Sequence, residues 1–175
     1  MHTIQVFQRL DQHRAWVNAN LLTAAESLNE EQLLRPFEIG QGSIWKSLLH
    51  LYAAESVWLE ALLGNESAVT QGDAPGQRPG NQQGENRITG LPDLRQKWSV
   101  LGQRWVDYLA TLKPESLDEV VFKVSYLGQR FGSRRSDVLL HVSTHSHYTT
   151  AQVMNMLRHV GVAKLPDVML IALAR

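Results

Sequence analysis

Four stretches of this chain repeat apolar residues at the three-to-four-residue period of an amphipathic helix. Over residues 3–28 the stripe is Ile4, Phe7, Leu10, Val17, Leu21 and Ala24, with Arg14 on the same face and Gln, Asp and Asn between. Asn29-Glu30-Glu31-Gln32-Leu33 then reads as a short turn, and Pro36 bars any continuation. Gly40 and Gly42 mark a loop. Ser43 is placed to cap a second helix, whose stripe Ile44, Leu48, Leu49, Leu51, Val57, Trp58 and Leu62 ends at about Leu63, before Gly64-Asn65. A third helix begins near Leu91-Pro92-Asp93, where proline suits a first turn. It ends before Pro114 and buries Leu94, Trp98, Leu101, Trp105, Tyr108 and Leu109. Ser136 and Asp137 open a fourth, which runs to about His159 and stops at Gly161.

The segments between these helices have different patterns. Residues 65–90 are rich in Gly, Gln, Asn and Pro, and read as a loop long enough to let the second and third helices run parallel. Residues 118–133 carry Val120, Val121, Phe122, Val124 and Tyr126 ahead of Gly128, a hairpin pattern. Beyond Pro166-Asp167 a short helix spans 168–174. No internal repeat is visible. The pattern predicts an all-α fold over residues 1–175 as one unit: a four-helix bundle with a long crossover loop and a short β-hairpin before the last bundle helix.

Composition narrows the function classes. Of 175 residues 43% are hydrophobic, an ordinary globular share, and 17 Lys+Arg balance 17 Asp+Glu. Zero net charge predicts no general attraction to nucleic acid or to an anionic membrane, and Arg130, Arg134 and Arg135 read as a solvated turn. With no cysteine there is no disulfide, zinc-thiolate site or thiol nucleophile. The first residues lack the apolar core of a signal peptide, and no apolar run approaches the roughly 18 residues of a membrane span, so a cytoplasmic protein is expected. The five tryptophans read as core or pocket walls rather than a stacking platform for bases.

Candidate chemistry lies in the histidines. His50 sits mid-way along the second helix among leucines. His141 and His145 are four residues apart on the fourth, offset by about 40° and about 6 Å of rise. Two imidazoles at that spacing can reach one metal ion, and a third from a facing helix would leave open positions for water or substrate. The same spacing also suits polar histidines hydrogen-bonded at the rim of a core. His147 lies about 200° around the helix from His145 and should face elsewhere.

Four blocks of the chain together resemble the DinB-like (DinB/YfiT-type) family. They are His13-Arg14-Ala15-Trp16-Val17-Asn18-Ala19-Asn20; Gly42-Ser43-Ile44-Trp45-Lys46-Ser47-Leu48-Leu49-His50-Leu51-Tyr52-Ala53-Ala54-Glu55 with Trp58-Leu59; His141-Val142-Ser143-Thr144-His145 with Gln152-Val153 and Met156-Leu157-Arg158; and Pro166-Asp167-Val168. The blocks occur in the family's order across nearly the whole chain. The resemblance implies a four-helix bundle, often a homodimer, with a divalent metal, typically zinc or nickel, held by three histidines. One matches His50. The other two belong to a pattern like Asn-His-x-x-x-His-Arg-Gly-Gln on the last helix. With Gln152 and Met156-Leu157-Arg158 fixing the register, the first falls on His145 and the second on Thr149.

Threonine is a poor ligand for zinc or nickel. Either His141 substitutes from the preceding turn, so that His50, His141 and His145 hold the metal with Asp137 behind His141, or the site has lost a ligand. The resemblance accordingly implies a metal-dependent enzyme, a thiol S-transferase acting with a small-molecule thiol or a hydrolase, with Trp45 and Tyr52 as pocket candidates and the 65–90 loop over the pocket mouth. The alternative is a non-catalytic helical dimer or ligand-binding stress protein with a degenerate site.

Overall fold

The computed structural model describes residues 3–175. Four long helices form the bundle: α1 (Thr3–Glu26), α3 (Ile44–Leu62), α4 (Leu91–Thr111) and α5 (Arg135–His159). Two short helices, α2 (Glu30–Leu34) and α6 (Leu170–Leu173), and a hairpin of β1 (Val120–Val124) and β2 (Arg130–Arg134) complete it. The bundle helices lie within a few residues of their predicted ends. Helix α6 is shorter than the 168–174 expected. The turn expected after α1 is instead a helical turn with a full capping box: Asn29 accepts from the Gln32 amide, and Gln32 accepts from the Asn29 amide. That turn has a structural job. Gln32 Nε2 donates to the Val160 carbonyl at 2.9 Å and Arg35 Nη1 to the His159 carbonyl at 3.1 Å, satisfying carbonyls at the end of α5.

Helix α1 packs on α4 and α5, and α3 packs on the same two, so α1 and α3 are diagonal. Contacts along the helices give their directions. Tyr52 meets Trp98 and Glu60 meets Arg104, so α3 and α4 run parallel. His50 meets His145 and Trp58 meets His141, so α3 and α5 run antiparallel. The parallel α3–α4 pair is what the long crossover makes possible. Leu21, Ile44, Leu48, Leu51, Leu59, Leu94, Trp105, Met156 and Leu157 fill the centre. No helix among the described residues is long and apolar enough to cross a membrane.

A polar cluster crosses this core on the diagonal. Glu55 of α3 is 4% exposed and Arg14 of α1 is 5% exposed. Arg14 Nη1 stands 2.6 Å from Glu55 Oε2, Asn18 Nδ2 donates to Oε1 at 2.8 Å, and Trp98 Nε1 of α4 donates to Oε2 at 3.0 Å. Arg14 also pairs with buried Asp11 and lies over the Trp105 ring, 4.5 Å from its centroid. Burial pushes the Glu55 carboxyl above its ordinary range, and Arg14, Trp98 and Asn18 pull it back.

Removing one partner of such a pair strands a charge in the core. Glu55→Ala is expected to cost about 3–5 kcal/mol in urea unfolding. The double variant Arg14→Met, Glu55→Met should recover much of that loss, because neither charge is then left unpaired. A double variant as unstable as Glu55→Ala would show that the pair is not what fixes these helices.

Candidate metal centre

His50 projects from the middle of α3 toward α5, where His145 meets it. Their Nε2 atoms are 3.2 Å apart and their rings meet edge-on. The other nitrogen of His50 is held by the crossover loop: Nδ1 lies 2.8 Å from the Pro79 carbonyl. A carbonyl only accepts, so Nδ1 carries the proton and the Nε2 lone pair of neutral His50 faces His145. Without a metal, His145 Nε2–H donates to it. Burial, then His50 and His141, hold the His145 imidazole down at about 4. Burial likewise lowers His50 and His141, with the Pro79 carbonyl opposing the shift at His50.

The loop that supplies Pro79 is ordered around one carboxylate. Asp73 Oδ2 accepts from the Gly80 amide at 2.6 Å, and Oδ1 accepts from the Gln82 amide and side chain, both at 2.9 Å. Gln82 Oε1 in turn accepts from the Ile88 amide at 2.7 Å, and Asn81 Oδ1 accepts from Ala74 at 2.9 Å and Gln83 at 3.0 Å. Gly80, at φ 87°, lies flat on α3. A Cβ there would stand 2.6 Å from the backbone nitrogen and Cα of His50. The segment is thus a fitted strap over His50. Beside it lies a cavity of about 710 Å³ lined by Trp45, Leu49, His50, Arg78 and Arg87 among others.

The structure sorts the remaining candidates. His141 is one turn before His145, with ring centroids 5.7 Å apart, and its ring lies against Trp58 at 5.1 Å. Thr149 is 2% exposed, packed inside the bundle one turn after His145. Asp137 is exposed in the first turn of α5 and makes no hydrogen bond to His141. Trp45 lines the cavity as expected. Tyr52 does not: it is buried in the core against Trp98, at 6.0 Å between centroids. His147 does face away, toward α1, where it meets His13 at 4.9 Å. Sequence reasoning missed the strap residues Asp73, Pro79 and Gly80.

The donor chemistry fits two bonds to a divalent metal. Two imidazole nitrogens on one tetrahedral zinc stand about 3.3 Å apart, close to the 3.2 Å between His50 and His145. A ligand histidine also normally gives its other N–H to a carbonyl or carboxylate, as His50 does to Pro79. Among the described residues no three His, Asp or Glu side chains are grouped so as to hold a metal. The histidine pair is therefore formed, and His141 stands beside it with its ring against Trp58.

The model of the DinB superfamily matches residues 10–153, and the chain belongs to that superfamily. A solved structure, YfiT from Bacillus subtilis, described as a probable metal-dependent hydrolase with an unusual four-helix bundle topology, superimposes with a TM-score of 0.68 at 17% identity. The match covers 92% of this chain and 90% of that one. At that identity the likeness establishes the fold. No curated protein matches the chain.

Two outcomes follow from this geometry. Gly80→Ala is expected to lose about 1–2 kcal/mol from the left-handed backbone conformation alone and to lift Pro79 off His50. The Nδ1–H of His50, read by ¹⁵N–¹H correlation of the imidazole, should then lose its hydrogen-bonded shift, and an unchanged signal would count against the strap. The metal-free protein should also lose stability in acid. The folded-state pKa of His145 is depressed from 6.5 to about 4, so its contribution is complete above pH 6.5 and is lost as pH falls toward 4. The pH dependence of thermal unfolding should flatten over that window in His145→Phe.

Proposed function

We propose that this DinB-superfamily protein is a metal-dependent hydrolase-type protein in which His50 and His145 hold a divalent metal, zinc or nickel, with His141 as the third candidate ligand. The observation that carries the reading is the convergence of the two Nε2 atoms at 3.2 Å, with His50 locked in the required tautomer by the Pro79 carbonyl. A metal held there would supply a Lewis acid able to lower the pKa of water. The protein's own contribution is positional. Pro79 fixes the His50 ring, Asp73 fixes Pro79 through Gly80, and the cavity bordered by Trp45, Leu49, Arg78 and Arg87 receives a small substrate beside His50. Thiol transfer would use the same centre with a small-molecule thiol in that cavity.

A second reading has its own support. Thr149, buried at 2% exposure, fills the position at which the resemblance implies a third histidine. On that reading the pair is a hydrogen-bonded remnant and the protein works without catalysis, as a helical homodimer or a ligand-binding module.

Metal content separates the two. Protein exposed to zinc or nickel and then dialysed is expected to retain about one metal per chain by plasma mass spectrometry. His50→Ala and His145→Ala should lose it, and Thr149→His should bind it more tightly by restoring a third imidazole. Loss in His141→Ala would identify that residue as the third ligand. Wild-type protein that retains no metal, while Thr149→His does, would establish the remnant reading.

A further inference from the structure

The β1–β2 hairpin carries a charge where its pattern calls for an apolar side chain. Alternate residues of a strand share a face. Val121 is buried, and Lys123 follows on the same face, paired across the hairpin with Phe131. Lys123 is half-buried, and its Nζ lies 5.4 Å from the centre of the Trp58 ring. Burial lowers its pKa.

Among the described residues no carboxylate or carbonyl pairs with this ammonium. The nearby acids are committed elsewhere. Glu66 binds Arg130 through both oxygens, at 2.6 and 2.9 Å, and both Asp73 oxygens accept from the strap. Lys123 instead faces a cavity of about 440 Å³ between the hairpin, the end of α3 and the strap, walled by Val57, Trp58, Val69, Pro75 and Phe131. That volume lies in the range of small-molecule sites, and mainly apolar walls with a few polar groups, here Lys123 with Thr70, Asp73 and Ser125 beside it, are their usual composition.

We propose that this cavity is a binding site for a small monocarboxylic acid with an aromatic or branched apolar body, its carboxylate taken by Lys123 and its body by Trp58, Val69 and Phe131. The chemistry selects this class. Among the described residues Lys123 is the one cation lining the cavity, so it balances one negative charge, and a phosphate dianion would leave a second charge uncompensated against mainly apolar walls. The apolar walls give an acyl or aryl body more than a sugar would gain. A half-buried ammonium met only by an aromatic ring face is incompletely compensated, and an incoming carboxylate completes its pairing. The site contains neither His50 nor His145 and stands whether or not a metal is held there, although Asp73 and Pro79 of the strap border it as well.

The test is isothermal titration of metal-stripped protein with 3-phenylpropionate and with its uncharged amide. The acid is expected to bind at least about tenfold more tightly than the amide. Lys123→Met should abolish that preference, Lys123→Arg should keep it, and Trp58→Ala should weaken both ligands. Lys123→Met removes a half-buried charge while keeping the stem, so its melting temperature should match or exceed that of wild type, which separates lost recognition from lost folding. Three results would each overturn the proposal: no binding of the acid to wild type, equal binding of acid and amide, or a preference for the acid that survives Lys123→Met.

Discussion

The buried pairing of Arg14 with Glu55 sets the geometry on which the rest of the bundle depends. Helices α1 and α3 are diagonal, so ridges-into-grooves packing between neighbours does not by itself fix their mutual rotation. Glu55 does so, because Arg14 and Asn18 of α1 and Trp98 of α4 all converge on one carboxylate. A helix turned by a fraction of a turn would leave those groups buried without partners. His50 precedes Glu55 by five residues, which is about 140° around the helix. Locking Glu55 toward α1 and α4 therefore turns His50 toward α5, where His145 stands. The apolar core stabilises a bundle, and the ion pair selects which rotation of α3 that bundle has.

The crossover adds a second constraint from outside. Its length follows from the parallel run of α3 and α4, which obliges the chain to travel the full bundle between them. The segment uses that length. Asp73 gathers the amides of Gly80 and Gln82, and the glycine lets the backbone lie against α3 so that Pro79 reaches Nδ1 of His50. His50 is thus held at its backbone by the rotation of α3 and at its ring by the strap. The two devices are independent in sequence and converge on one tautomer.

The helices, the hairpin and the convergence of His50 with His145 were legible in the sequence because each rests on short-range periodicity or on a resemblance that spans the chain. What was not legible depends on long-range pairing. Arg14 falls on the apolar stripe of α1, and Glu55 lies between Ala54 and Val57 on α3. Two opposite charges on otherwise apolar faces were a signal of a buried pair, but neither helix alone shows what the other offers. Tyr52 read as a pocket residue because its position next to Leu51 and Ala53 does not reveal that Trp98 covers it. Asp73, in a loop of Gly, Gln and Asn, looks like any solvated turn until the donors that converge on its carboxylate are counted. Helix α2 was read as a turn because five residues carry too little periodicity, although its capping box was present in Asn29 and Gln32.

Position 149 links the histidine pair to the hairpin cavity. His145 has one neighbour a turn before it on α5, His141, and one a turn after it, Thr149. These two lie about 12 Å apart along the axis. An imidazole at 149 would place a third nitrogen on the side of the pair away from the hairpin. Threonine there is packed inside the bundle, and the free imidazole lies on the other side, against Trp58. Trp58 is also the wall shared with Lys123 and Phe131. With threonine at 149, the imidazole beside the pair lies on the hairpin side of α5. Trp58 thus touches both His141 and Lys123, so the hairpin cavity and the histidines of α5 meet at a single indole.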